Sequence, residues 1–175
     1  KIICLGMNYK DHAEEQKAPI PKAPVLFAKA TTSLTGPSDD IVHPRATSQL
    51  DYEVELAVII GKKMRRATAL EATAGIAGYT ILNDLSARDA QFSDGQWYRG
   101  KSMDGLCPLG PWIATSDEVP DPHALRLSLK VNGETRQDST TAQLIFKIPE
   151  TIAYITEGIT LLPGDIISTG TPPGV

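Results

Sequence analysis

Two glutamates two residues apart, Glu53 and Glu55, open an otherwise apolar run, DYEVELAVIIGK, residues 51–62. Side chains alternate in an extended chain, so Val54, Leu56, Val58 and Ile60 share one face while Glu53, Glu55, Ala57 and Ile59 share the other. Both carboxylates therefore point the same way. A strand with one solvated face would simply leave them in water. Ala57 and Ile59, however, continue that face as apolar residues, which predicts that it is covered, and a covered carboxylate needs a partner to offset its desolvation. A third acid, Asp84, ends the run YTILND, where a strand delivers a side chain to a pocket rim; a turn or N-cap role ahead of SARDAQ is the competing reading. Three carboxylates without a neighbouring His or Cys select a hard, oxygen-seeking cation. Mg2+, Mn2+ or Ca2+ suits them and zinc does not.

The elements that must position these acids are mostly strands. KIICLG and VLFAKA read as strands, NYKDHAEEQ between them as a short helix, and residues 35–50 as loop. ATALEATAGIAG, residues 67–78, reads as a helix ending at glycine, followed by GYTILND as a buried strand. From Leu85 to Met103 the chain is polar and Gly-containing, which predicts a long functional loop with one helical turn at SARDAQ. LGPWIATS reads as a strand, LRLSLKVNGETRQDST as a hairpin turning at Asn132-Gly133, IPETIAYITEGI as a helix and PGDIISTGTPPGV as strand and turn. No repeat or linker divides the chain, so residues 1–175 read as a single, mainly β (α+β) domain, with residues expected beyond both termini.

Composition excludes several partner classes. A formal net charge of -4, with 17 Lys and Arg against 21 Asp and Glu, gives no polybasic footprint, so no nucleic acid and no membrane partner are expected. Cys4 and Cys107 are too few and too far apart for a disulfide framework or a zinc site, which favours two buried thiols in a reducing, cytoplasmic setting. A mitochondrial location follows instead if a targeting peptide precedes Lys1.

Taken in order, GMNYKDHAEE, PVLFAKA, DYEVELAVIIGK, LNDLSARDAQ, GQWYRGKSMDGLCPLGPW, VNGETRQ and PGDIISTGTPPGV resemble the fumarylacetoacetate hydrolase family over nearly the whole chain. The likeness is strongest to its small, acylpyruvase-like members. It implies a mixed β-sandwich roll with short flanking helices, and a homodimer. It also implies one Mg2+ or Mn2+ ion, with Ca2+ as a substitute, on Glu53, Glu55 and Asp84. His12 and Glu15 match the family's water-activating dyad, although His12 without that match reads sooner as an exposed polar residue on a short helix. Lys101 matches the active-site lysine; Lys29, Arg88 and Gln91 match polar pocket positions; Thr171 matches the turn that holds the substrate carboxylate.

The activity this resemblance places first is metal-dependent C–C bond hydrolysis of acylpyruvate-type diketo acids. His12 would deprotonate the attacking water, and Lys101 with Gln91 would receive the oxyanion. The same platform supports oxaloacetate decarboxylation, keto-enol tautomerisation or isomerisation, or hydration and dehydration of a 2-keto acid. A silent keto-acid-binding protein is the remaining alternative. The substrate's distal group would be read by Trp97 and Tyr98.

Overall fold

The computed structural model describes residues 1–175. Its central feature is a curled, seven-stranded sheet in the order β2-β1-β11-β5-β6-β8-β3. These strands are β1 (Ile2–Leu5), β2 (Leu26–Lys29), β3 (Leu34–Thr35), β5 (Val54–Ile60), β6 (Ile76–Asn83), β8 (Cys107–Thr115) and β11 (Ile166–Ser168). Two two-stranded ladders complete it: β4 (Leu50–Asp51) with β7 (Ser86–Ala87), and β9 (Arg126–Val131) with β10 (Glu134–Thr140). Neighbours pair antiparallel except β1 with β11 and β3 with β8. Five short helices flank the sheet: α1 (Lys10–Glu15), α2 (Ala69–Ala74), α3 (Arg88–Ser93), α4 (Tyr98–Lys101) and α5 (Ile148–Gly158).

Strand β5 is buried along its whole length, because both of its faces are covered. Val54, Leu56, Val58 and Ile60 join a core of 18 residues that includes Ile148, Ile152 and Ile155 of α5, while Ala57 and Ile59 join a smaller core with Ile2, Cys4, Leu82, Cys107 and Ile166. Each fully buried aliphatic side chain contributes roughly 1.5–3 kcal/mol. Glu55 lies on the side of the smaller core, which answers the question raised by its neighbours: the face is covered, and the carboxylate with it. The two thiols of this core are free, and burial pushes Cys107 up to about 12 and Cys4 well above its ordinary value.

Two boundaries differ from the sequence expectation. The helix expected over 67–78 is only α2: Thr68 caps it, its hydroxyl accepting from the Glu71 N–H while Glu71 accepts from the Thr68 N–H. It stops at Gly75, and Ile76 already belongs to β6, since pairing of Ile76 with Ile60 outweighs the helical propensity of the alanines. The long loop after Leu85 contains a second helix, α4, beside the expected turn at α3. The hairpin turn lies at Asn132-Gly133 as expected, both residues at positive φ. No helix is long and apolar enough to cross a membrane.

The start of α5 depends on a neutral histidine. His123 Nε2 accepts the Ile148 N–H at 3.1 Å, and burial, with Lys147 nearby outweighing Asp121 and Glu150, holds its pKa below the usual value. A depressed folded pKa means that this stabilisation is full above the unfolded value of about 6.5 and is lost as pH falls. Thermal melts should therefore show wild type losing a little stability, under about 1 kcal/mol after solvent screening, between about pH 7.5 and pH 5, and His123→Gln losing less.

Candidate active site

The sheet delivers three acids to one point. Glu55 lies within β5, opposite Leu82 of β6, while Glu53 precedes β5 and Asp84 follows β6 across the same antiparallel pair. The Asp84 N–H donates to the Glu53 carbonyl at 2.8 Å and Glu53 N–H to Asn83 Oδ1 at 3.0 Å, so both strand ends are pinned together. One carboxylate oxygen from each of Glu53, Glu55 and Asp84 lies within 4.8 Å of the others, and all three residues are buried. Asp84 caps no helix: α3 has Ala87 at its N-cap, and both Asp84 oxygens are engaged by lysines.

Buried cations compensate the cluster. Lys101 Nζ stands between Glu53 Oε2 at 2.6 Å and Asp84 Oδ2 at 2.8 Å. Lys29 Nζ contacts Asp84 Oδ1 at 2.5 Å, and Arg88 Nη1 contacts Glu53 Oε1 at 2.7 Å. Burial alone would raise Asp84, but Lys101 and Lys29 outweigh it and hold this carboxyl below its usual value. Burial likewise opposes the charge on Lys101, yet Asp84 and Glu53 raise its pKa above the ordinary one, so it is an ammonium. Glu55 is the exception. Burial, then the charges of Asp84 and Glu53, push it well above its usual value, although its Oε2 accepts from Ser168 Oγ at 2.5 Å and Gly170 N–H at 2.7 Å.

Lys101 reaches this position because of a glycine. A Cβ on Gly100 would stand 2.6 Å from the backbone nitrogen of Gln91 and 2.9 Å from the Ala87 carbonyl, so only glycine lets α4 lie directly against α3. The cavity beside the triad has a volume of about 630 Å³ and is lined in part by His12, Glu53, Arg88, Gln91, Lys101 and Thr171. Phe27 and Trp97 form an aromatic wall, edge to face at 5.3 Å. On α1, His12 Nδ1 lies 3.0 Å from Glu15 Oε2; a carboxylate accepts, so Nδ1 donates, and in the neutral ring the lone pair is on Nε2. Glu15 also accepts the Gly174 N–H at 3.1 Å.

The sequence-derived residues thus fall into two groups. Glu53, Glu55, Asp84, Lys29, Lys101, Arg88 and Gln91 form one cluster, the side-chain Oε1 of Gln91 accepting from Arg88 Nη1 at 2.9 Å. His12 and Thr171 face the same cavity from α1 and the turn after β11. Lys29 does not line the cavity: it is locked beneath Asp84 and bonded also to the Leu85 carbonyl. Tyr98, offered with Trp97 as a reader of the distal group, is exposed and does not line it either. Asp51 escaped the sequence reading; it accepts from Arg88 Nε at 2.9 Å, and the only signal was its place two residues before Glu53, on the same face of the chain.

Three buried carboxylates with only oxygen donors fit a divalent cation of the magnesium or manganese kind. A curled sheet that gathers such acids and their counter-cations at the edge of an open cavity defines an enzyme domain of the fumarylacetoacetate hydrolase class, and the family description "Fumarylacetoacetate (FAA) hydrolase C-terminal" matches residues 1–175. The chain belongs to the fumarylacetoacetate hydrolase family. It is 49% identical over 177 residues to the oxaloacetate tautomerase FAHD2A, mitochondrial, of Bos taurus, matching 100% of this chain and 56% of that protein. It is 48% identical to the 2,4-didehydro-3-deoxy-L-rhamnonate hydrolase of a Sphingomonas species, matching 100% of this chain and 62% of that one. The chain therefore spans a little over half the length of these relatives. Among solved structures, the 5-carboxymethyl-2-hydroxymuconate delta-isomerase from Mycobacterium smegmatis superposes with a TM-score of 0.91 at 45% identity, over 99% of this chain and 68% of that one.

Proposed function

We propose that this domain holds Mg2+ or Mn2+ on Glu53, Glu55 and Asp84 and interconverts the enol and keto forms of a 2-keto dicarboxylic acid of the oxaloacetate type. The observation that carries it is the buried acid triad with the Lys101 ammonium beside it at the cavity edge. The bound cation would supply Lewis-acid stabilisation of negative charge on a keto oxygen. Lys101 adds a fixed positive charge where that oxygen would lie, in a site where burial strengthens its effect. Arg88 and the turn at Thr171, which line the cavity, would serve as carboxylate partners. His12, its Nδ1 held by Glu15, would take the enol proton and return one to carbon through Nε2.

Hydrolysis of an acylpyruvate, which the resemblance alone placed first, is kept as the second reading because the His12–Glu15 pair is formed. The mammalian relatives by name, together with the isomerase structures, support the reversed order. The homodimer belongs to the same reading and is supported by the exposed Ile81, Trp112 and Ile113 on adjacent strands β6 and β8; light scattering measures it.

The deciding experiment follows enol loss from oxaloacetate beside cleavage of acetylpyruvate and fumarylpyruvate, with Mn2+ and with EDTA. Metal-dependent oxaloacetate tautomerisation without diketo acid cleavage is the expected result; dominant cleavage would move the assignment to hydrolase. His12→Ala should lower kcat by about 10²–10⁴ while leaving Mn2+-dependent oxalate binding intact.

A further inference from the structure

The segment VNGETRQ ends in a side chain that has no part in the site as described so far. Gln137 is 1% exposed, and its amide is nearly saturated. Its Oε1 accepts the Val54 N–H at 2.9 Å, and its Nε2 donates to Thr171 Oγ1 at 2.8 Å and to the Pro172 carbonyl at 2.9 Å. Val54 is the residue between the two glutamates, while Thr171 and Pro172 belong to the turn that closes the cavity. The ring is completed by Thr171 Oγ1, which donates to the Val54 carbonyl at 3.0 Å.

This ring decides what Thr171 can offer a ligand. A hydroxyl has one hydrogen, and that hydrogen is on Val54; a lone pair is taken by Gln137. The hydroxyl is thus unable to donate to a carboxylate, whereas the Thr171 backbone N–H has no partner within the protein. The hairpin carrying Gln137 is built for the contact. Register shifts between Thr135 and Gln137, and a Cβ on Gly174, which has φ +109°, would stand 2.1 Å from the Arg136 carbonyl, so the turn lies directly on the backbone of β10. The same strand reaches the other wall of the cavity, where Ser139 Oγ donates to Asp11, next to His12.

We propose that Gln137 is a positioning residue for carboxylate recognition: by tying the hydroxyl of Thr171 and the carbonyl of Pro172 to strand β5, it holds the turn so that the Thr171 N–H is presented to the substrate's carboxylate. This inference rests on the keto-acid reading above. The cation site is held mainly by other contacts: Lys101, Lys29 and Arg88 engage Glu53 and Asp84, and Ser168 of β11 engages Glu55, whose one bond to the turn is from the Gly170 N–H.

The test compares wild type with Gln137→Leu, which keeps the bulk and loses the bonds, and with Thr171→Val, which loses the hydroxyl and keeps the N–H. Calorimetry measures Mn2+ alone and then oxalate at saturating Mn2+; steady-state kinetics measures oxaloacetate; hydrogen exchange follows residues 169–175. Both variants should keep Mn2+ affinity within about threefold and weaken oxalate about tenfold, as loss of one or two buried hydrogen bonds implies. KM should rise with kcat little changed, and exchange in the turn should quicken. Unchanged oxalate affinity, or equal loss of Mn2+ and oxalate, would overturn the proposal by making Gln137 a packing residue alone. Should Gln137→Leu fail to fold, Thr171→Val carries the same comparison. If wild type with Mn2+ neither binds oxalate nor acts on oxaloacetate, the keto-acid reading falls, and exchange in the turn decides separately whether Gln137 holds it.

Discussion

Glu55→Gln is expected to stabilise the metal-free protein while destroying its response to metal. Glu55 is 1% exposed, and its charge is opposed by burial and by Asp84 and Glu53. Glutamine keeps the shape, and its amide oxygen can still accept from Ser168 and Gly170. In wild type the folded-state pKa of Glu55 is raised, so the folded state holds a proton that the unfolded chain releases, and the penalty grows as pH rises from the ordinary value toward the raised one. The variant's advantage should therefore be absent below the ordinary value of 4.5 and grow above it, reaching on the order of 1 kcal/mol or 2–4 °C in Tm between about pH 5 and pH 7.5. Mn2+ should then raise its Tm far less than that of wild type, and kcat/KM for oxaloacetate should fall by about 10³ or more. A variant that melts like wild type in both EDTA and Mn2+ would remove Glu55 from the cation site.

Lys101→Met should have the opposite sign in the absence of metal. It leaves Glu53 Oε2 and Asp84 Oδ2 facing each other without the ammonium that now lies between them. Breaking a buried pair by removing one partner costs about 3–5 kcal/mol, which for a chain of this size is on the order of 6–20 °C in Tm. Since a divalent cation supplies the missing positive charge, Mn2+ should restore more stability to this variant than it adds to wild type. Activity should stay low even then, by about 10²–10³, because the cation replaces the lysine's charge but not its hydrogen-bond donors. Equal thermal gains from Mn2+ in the two proteins would show that Lys101 does not share the cation's electrostatic role.

The acid triad was legible in the sequence for a simple reason. Strand periodicity places Glu53 and Glu55 on one face, the apolar continuation at Ala57 and Ile59 announces burial, and Asp84 ends the next strand. The cations were less legible. With 17 lysines and arginines in the chain, local sequence does not distinguish Lys29 and Lys101, both buried, from solvated ones; only the likeness to the family singled them out. Helix α4 was hidden because Gly100 lowers helical propensity, and its reason for being glycine, the approach to α3, is tertiary. Gln137 was invisible on similar grounds: its three partners are residues 54, 171 and 172, and nothing near it in the chain mentions them. The hairpin turn and α5 were readable since their signals are local, a turn dipeptide and a run of isoleucines at helical spacing.

The pairing of β1 with β11 bears on how the protein is made. Ile2 lies beside Ile166 in the middle of the sheet, and β11 is what joins β1 to β5. During synthesis, strands β5, β6 and β8 emerge and can form their antiparallel pairs early, while β1 and β2 must wait as a separate hairpin until residue 168 leaves the ribosome. Closing so large a loop is entropically costly and makes this step slow relative to the hairpins. The groups that hold Glu55, Ser168 and Gly170, belong to the same late segment. The nascent chain thus carries an unpaired strand edge and an unanchored acid until β11 and Gly170 emerge, so closure of the sheet and anchoring of Glu55 coincide.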